Sequence, residues 1–364
     1  MPIPFIIAGA AAVAAAVGGK KAYDGYQTKS EADDIIERAK SRYAVREKQL
    51  KNVSESTEEK LQNLGELELK IGESFGEFKT ISQELLNKLN QDSDKDIQLS
   101  IPEYKLKKIE QLALSAMDFL GTAVASGAAG AAASFAVYSG VMAFAAASTG
   151  TPVAALSGAA AYNATMAAIG GGALSAGGLG MAGGAMILGA AAAAPALLIA
   201  GWAYASHAEK ALENAKKARK EVDEAIKKMD LSENYLQSTN GYVEKIHSLL
   251  DTINKTFNVY FCKLKKLHEK IVINGGEKVA NALSEKSLRI IHNGYLLAAL
   301  MTDIISTPLF VLKEASSDGA IEIEVDENGF NVINQEGLDS VLCDKYDEYS
   351  NFKNENDETD FMIL

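Results

Sequence analysis

Residues able to do acid–base, metal or nucleophilic chemistry are sparse in this sequence. The histidines, His207, His247, His268 and His292, are spread without metal-ligand spacing. Cys262 and His268 stand six residues apart, which on a helix puts them on different faces. Cys343 is the only other cysteine, so a disulfide scaffold is disfavoured and a reducing compartment fits. There is no phosphate-binding G-x-x-x-x-G-K-[ST] loop, no G-x-S-x-G elbow and no H-E-x-x-H. Gly178-Leu-Gly-Met-Ala-Gly183 does match G-x-G-x-x-G. A dinucleotide site also needs a preceding strand and an acidic residue about 20 positions later. Here the chain reads as helix and carries no charge before Glu209, so the glycines serve packing. The sequence thus points away from an enzyme, with no catalytic residue, no cofactor and no metal. His207 has one sharper use. It stands at the exit of an apolar segment, where gaining a proton at about pH 6 would make it a pH sensor at a membrane boundary.

That apolar segment is what the remaining elements must position. From Phe119 to Ala208 the chain has no Asp, Glu, Lys or Arg, and it is built mainly of Ala and Gly. Such a stretch has to be buried in protein, buried in lipid, or able to exchange one for the other. Ser148–Pro152, Gly170–Gly172 and Gly177–Gly180 read as breaks, and Pro195 as a kink, so a helical hairpin or a helix cluster is expected. Ala176, Gly180 and Gly184 recur every four residues, as do Gly127 with Ala131 and Gly189 with Ala193. This is the small-xxx-small spacing of close helix contacts. With Gly172 these glycines and Ala176 are the candidate packing residues. Each large apolar residue favours insertion by only about 0.3–0.6 kcal/mol, and Ala is taken as near neutral. Every window is therefore marginal. The best are Phe119–Ala147 and Ala185–Ala205, with Trp202 and Tyr204 placed as interfacial anchors.

Long amphipathic helices flank the segment. Over residues 20–118 the apolar positions Leu50, Val53, Leu61, Leu64, Leu67, Ile71, Phe75, Phe78, Ile81, Leu85 and Leu89 step by threes and fours. Gly65, Gly72 and Gly76 should weaken that helix locally. A second helix is expected from Glu103, opened by Pro102. Over 209–313 the seam Val243, Ile246, Leu250, Ile253, Phe257, Tyr260, Leu264, Leu267 and Ile271 alternates threes and fours without a miss. Asn274-Gly-Gly276 stops it, and a helix with Leu296, Leu297 and Leu300 on its apolar face follows until Pro308. Residues 314–364 hold 15 acidic and 2 basic side chains, a net of −13 against −12 for the whole chain, so no nucleic-acid footprint is present. Within them Ala320–Ile333 has the alternation and turn of a small β-hairpin. The last 25 residues form an acidic tail, mobile until a partner or the body of the protein captures it.

Residues 1–19 read as an apolar N-terminal helix. Lacking a basic n-region before it, this stretch reads as a buried or interfacial helix, a membrane anchor, or an atypical export signal. If it inserts, Lys20 and Lys21 favour keeping the body in the cytoplasm. The fold class expected is all-α: an elongated bundle of long amphipathic helices around an Ala/Gly-rich hairpin.

The stretch STGTPVAALSGAAAYNATMAAIGGGALSAGGLGMAGGAMILGAAAAAPAL at 148–197, with PIPFIIAGAAAVAAAVGGKKAYDGY at the N-terminus and GELELKIGESFGEF at 65–78, resembles a widespread, poorly characterised bacterial family with glycine-zipper cores. The resemblance implies membership and no particular activity. In layout the chain is similar to apolipoprotein L proteins and to α-helical pore-forming toxins of the cytolysin A and haemolysin BL type. That likeness implies a hairpin that inserts into lipid, in several copies. The expectation is a cytoplasmic protein, conditionally associated with the inner membrane, that permeabilises or remodels a bilayer in stress response or phage defence. Its partners would be membrane lipid and further copies of itself. The alternative is a soluble structural or adaptor protein that binds a protein partner through its seams and acidic tail.

Overall fold

Alternation of threes and fours in apolar positions is what makes the long helices. The computed structural model describes residues 19–92, 101–126, 132–133, 135–137, 139, 208–273, 281–314 and 321–356. These are 89% helical, and the fold is all-α. In chain order the elements are α1 (Gly19–Asp92), α2 (Glu103–Ser126), α3 (Ala208–His268) with a π-helical turn (Glu269–Ile273), α4 (Asn281–Ile305), β1 (Leu312–Glu314), β2 (Ile321–Ile323) and α5 (Gln335–Glu355). Helical residues at 132–133, 135–137 and 139 continue the chain beyond α2. The N-terminal apolar helix and most of the charge-free segment lie outside the described residues.

The chain divides into two units, one of Met1–Leu50 with Ala191–Leu231, the other of Lys51–Ala190 with Ser232–Leu364. In the first unit Ala32 and Ile36 of α1 pack with Ala211, Ala215 and Ala218 of α3. The seam is made of alanines at steps of three and four, which lets backbones approach closely. Arg42 bonds Asp223 at 2.8 Å and Arg46 bonds Asp230 at 2.6 Å. Arg42–Asp223 is exposed and Arg46–Asp230 partly so, and such surface pairs set register more than stability.

In the second unit α1 and α3 run parallel. Lys60 pairs with Glu244, Glu77 with Lys265 and Glu84 with His268, so contacts advance together along both helices. The predicted α3 seam from Val243 to Ile271 is buried throughout. The α1 seam differs from expectation at three places. Val53, Leu67 and Ile81 are only half-buried, and Glu68 and Ser82 take the fully buried positions beside the last two. The run Thr57, Leu61, Leu64, Glu68, Ile71, Phe75, Phe78, Ser82, Leu85, Leu89 keeps a strict four–three alternation, whereas choosing only apolar residues breaks it.

Helix α4 is the centre of this unit. Phe78 reaches it across an aromatic cluster, with ring centroids 5.2 Å from Phe257, 5.8 Å from Phe261 and 5.0 Å from Tyr295. Glycine at 294 admits that ring, since a Cβ there would lie 2.3 Å from Phe78 Cζ. Residues 285–305 are the only described helical stretch long and apolar enough to cross a membrane. With 72% of its window buried inside the protein, it serves as a core helix.

The small β structure has a strand that was not expected. Ile321–Ile323 pairs antiparallel with Leu312–Glu314 upstream, while across the turn at 326–329 the chain is linked by an isolated bridge, Val325↔Asn331, and by the Asp326 and Val332 amides donating to the Phe330 and Glu324 carbonyls. Asp326 holds that turn by accepting from the Asn328 and Phe330 amides at 2.8 Å, and Gly329 supplies its positive φ of 85°. The body of the protein captures part of the acidic tail as α5, and residues 357–364 lie outside the described residues. Leu338, Tyr349 and Phe352 face inward, Tyr349 Oη lies 2.7 Å from Thr256 Oγ1, and Lys345 bonds Asp303 of α4 at 3.2 Å.

Candidate functional site

The charge-free segment begins on α2, and its described start, up to residue 139, is seated on a second buried face of α1. That face is Gly65, Leu69, Gly72 and Gly76, at steps of four, three and four. Its glycines were expected only to weaken the helix. Instead two of them are notches. A Cβ at Gly65 would lie 1.7 Å from the carbonyl oxygen of Ala132, and one at Gly72 would lie 2.4 Å from Ala116 Cβ. At Gly76 the nearest atom, Met117 Sδ, is at an ordinary 3.5 Å. Chain direction reverses here, because Lys79 pairs with Glu110 near one end while Gly65 meets Ala132 farther along.

Small residues on both sides therefore bring backbone against backbone. Ala113, Ala116, Ala132, Ala133 and Ala136 are buried. Phe119 and Phe135 meet edge to face at 5.0 Å and fill the space the alanines leave. The side chain of Gln62 accepts from the Ala133 amide at 3.2 Å. On the other flank of α2, Leu114 and Met117 remain 55% exposed, so its apolar character exceeds what its packing consumes.

One polar group lies at the bottom of the seat. Glu68 is 2% exposed. Ser139 Oγ lies 3.3 Å from Glu68 Oε2 and donates to the Ile305 carbonyl at 3.2 Å. Burial pushes the carboxyl well above the usual range, and the Ser139 hydrogen bond only partly opposes it. Burial of this kind disfavours the ionised form of the carboxyl.

The residues nominated from sequence as the packing face and anchors, Gly127, Gly172, Ala176, Gly180, Gly184, Gly189, Trp202, Tyr204 and His207, all lie outside the described residues. Of the other histidines, His268 caps the α3 side with Glu84, and His247 borders an open groove with Lys60, Glu66 and Lys70. Cys262 and Cys343 are free and exposed. The seat went unread because its signals are a heptad position held by a glutamate and two glycines seven apart. Both are visible in the sequence once the four–three alternation is continued through polar residues.

The arrangement defines a helical protein that buries the start of a long charge-free segment in a small-residue groove. Comparison of the chain with protein-family models, curated proteins and solved structures finds no match.

Proposed function

We propose that the protein is a membrane-switching helical protein, closed in water by the seat on α1 and opened to deliver its Ala/Gly segment to a bilayer. Glu68 carries this reading. A permanent core favours an apolar side chain at that seam position, and the hydrogen bond to Ser139 offsets only part of the cost of burying a carboxyl there. The closed burial is therefore kept weak. The segment it covers is marginally lipid-soluble, so the two burials lie close in free energy. On opening, Gly172, Ala176, Gly180, Gly184 and Gly189 supply small-residue faces through which several copies associate, with Trp202 and Tyr204 at the interface. The setting that fits is the cytoplasmic face of the inner membrane, in stress response or phage defence. The test is flotation of purified protein with anionic liposomes, together with dye release. Absence of both from pH 5 to 8 overturns the proposal.

The rival reading, a soluble adaptor, draws on α5. That helix is docked, and Asp344, Asp347 and Glu348 stay exposed on its outer side, a surface suited to a basic protein partner. Recovery solely in the soluble fraction, under stress as well as at rest, favours it.

A further inference from the structure

A serine hydroxyl has one proton to donate, and a backbone carbonyl can only accept. Ser139 Oγ stands within hydrogen-bonding distance of both the Ile305 carbonyl and Glu68 Oε2. The Ile305 carbonyl closes α4, among the last four that find no partner inside a helix. Both contacts are satisfied together only if Glu68 donates to Ser139 while Ser139 donates to Ile305. The chain of bonds then runs from α1, through the charge-free segment, to the end of α4. An ionised Glu68 would compete for the one serine proton and leave the carbonyl unmet, with its own charge buried.

The geometry points to Glu68 as a proton-held latch on the charge-free segment: protonated, it joins the segment to α4, and ionised, it releases the segment from its seat. Several charged groups on the surrounding elements pair with one another. Asp303 of α4 pairs with Lys108 of α2 and Lys345 of α5. Glu110 of α2 pairs with Lys79, and Glu244 and Lys265 of α3 pair with Lys60 and Glu77 of α1. His247 of α3 borders the groove with Lys60, Glu66 and Lys70, and the segment from Phe119 to Ser139 brings no charge. Burial and the Ser139 hydroxyl are what act on the Glu68 carboxyl. The latch therefore tightens in acid and loosens in alkali, opposite in sign to a switch driven by protonation of His207.

The latch regulates the seat invoked by the membrane-switching reading, but it is measured without lipid. Hydrogen exchange of residues 119–139 is followed from pH 5 to 9 in the full chain and corrected for intrinsic rates. The expected result is that protection falls as pH rises, by up to about tenfold per pH unit, the limit for one linked proton. Glu68→Gln should abolish that dependence and keep the segment protected. Ser139→Ala should raise exchange at every pH. Wild-type exchange that does not respond to pH, or a response that survives in Glu68→Gln, overturns the latch. Flotation with phosphatidylglycerol–phosphatidylcholine vesicles at the same pH values separates the two ideas. Exchange that follows the prediction without flotation supports the latch and sinks the membrane reading. Flotation with pH-independent exchange does the reverse.

Discussion

The carbonyl oxygen of Ala132 occupies the space that a side chain at Gly65 would fill, 1.7 Å from where its Cβ would stand. In an exposed helix interior Gly→Ala gains about 0.5–1 kcal/mol. At Gly65 the added methyl meets backbone, which cannot rotate aside, and overpacking of this kind costs about 1–3 kcal/mol. Gly65→Ala should therefore lower the urea midpoint and expose residues 119–139 to protease. Gly241→Ala on α3, with nothing within 4 Å, should raise the midpoint. If both variants shift in the same direction, the charge-free segment is not seated at Gly65.

Glu68 links the stability of the fold to pH. Its pKa is raised in the folded state, so the unfolded chain releases this proton first. Stability is then full below about pH 4.3, the unfolded glutamate value, and is lost as pH rises toward the folded one. Glu68→Gln removes the titrating group while keeping its shape. The difference in unfolding free energy between variant and wild type should grow steadily from pH 5 to pH 8. A constant difference across that range would mean that Glu68 ionises normally.

Phe78 and Gly294 fit as a pair. The ring lies over the glycine and between Phe257, Phe261 and Tyr295, so Phe78→Ala should cost about 3–5 kcal/mol. Gly294→Ala should destabilise through its collision with the ring. In a Phe78→Leu background the collision is gone, and the two changes should couple by more than about 1 kcal/mol. Additive free energies in the double-mutant cycle would place the ring elsewhere.

How much of this was legible in the sequence follows from what apolar periodicity can report. The seam Val243–Ile271 has an apolar side chain at every step, so it read correctly, and so did the start of α2 after Pro102. The α1 seam failed at Val53, Leu67 and Ile81. At the last two an apolar neighbour stood one residue before a buried polar one, and polarity outweighed phase. The first unit went unread because its seam is largely alanine, which carries little hydrophobic signal. The strand Leu312–Glu314, which pairs with Ile321–Ile323, went unread because so short a segment has no alternation to display. Acidic composition hid α5, although Leu338, Leu342, Lys345, Tyr349 and Phe352 alternate fours and threes as the long helices do.

That last pattern makes a protease experiment informative. Lys345 and Lys353 are the only basic residues after position 313, so trypsin has two sites in the tail. Lys345 is 13% exposed and bonds Asp303 at 3.2 Å and Glu348 at 2.6 Å. Burial opposes its charge, but these carboxylates outweigh burial and hold its pKa above the ordinary lysine value. Phe352, one turn after Tyr349, packs its ring 5.9 Å from Tyr260 and secures the end of the helix. Phe352→Ala removes that contact at a cost of about 3–5 kcal/mol, enough to detach a helix held along one face. In the wild type, cleavage after Lys345 should be slow beside cleavage at exposed lysines such as Lys51. In Phe352→Ala it should become fast, and mass spectrometry should show the loss of 346–364. Equal rates at Lys345 in the two proteins would mean that α5 is not held through Phe352.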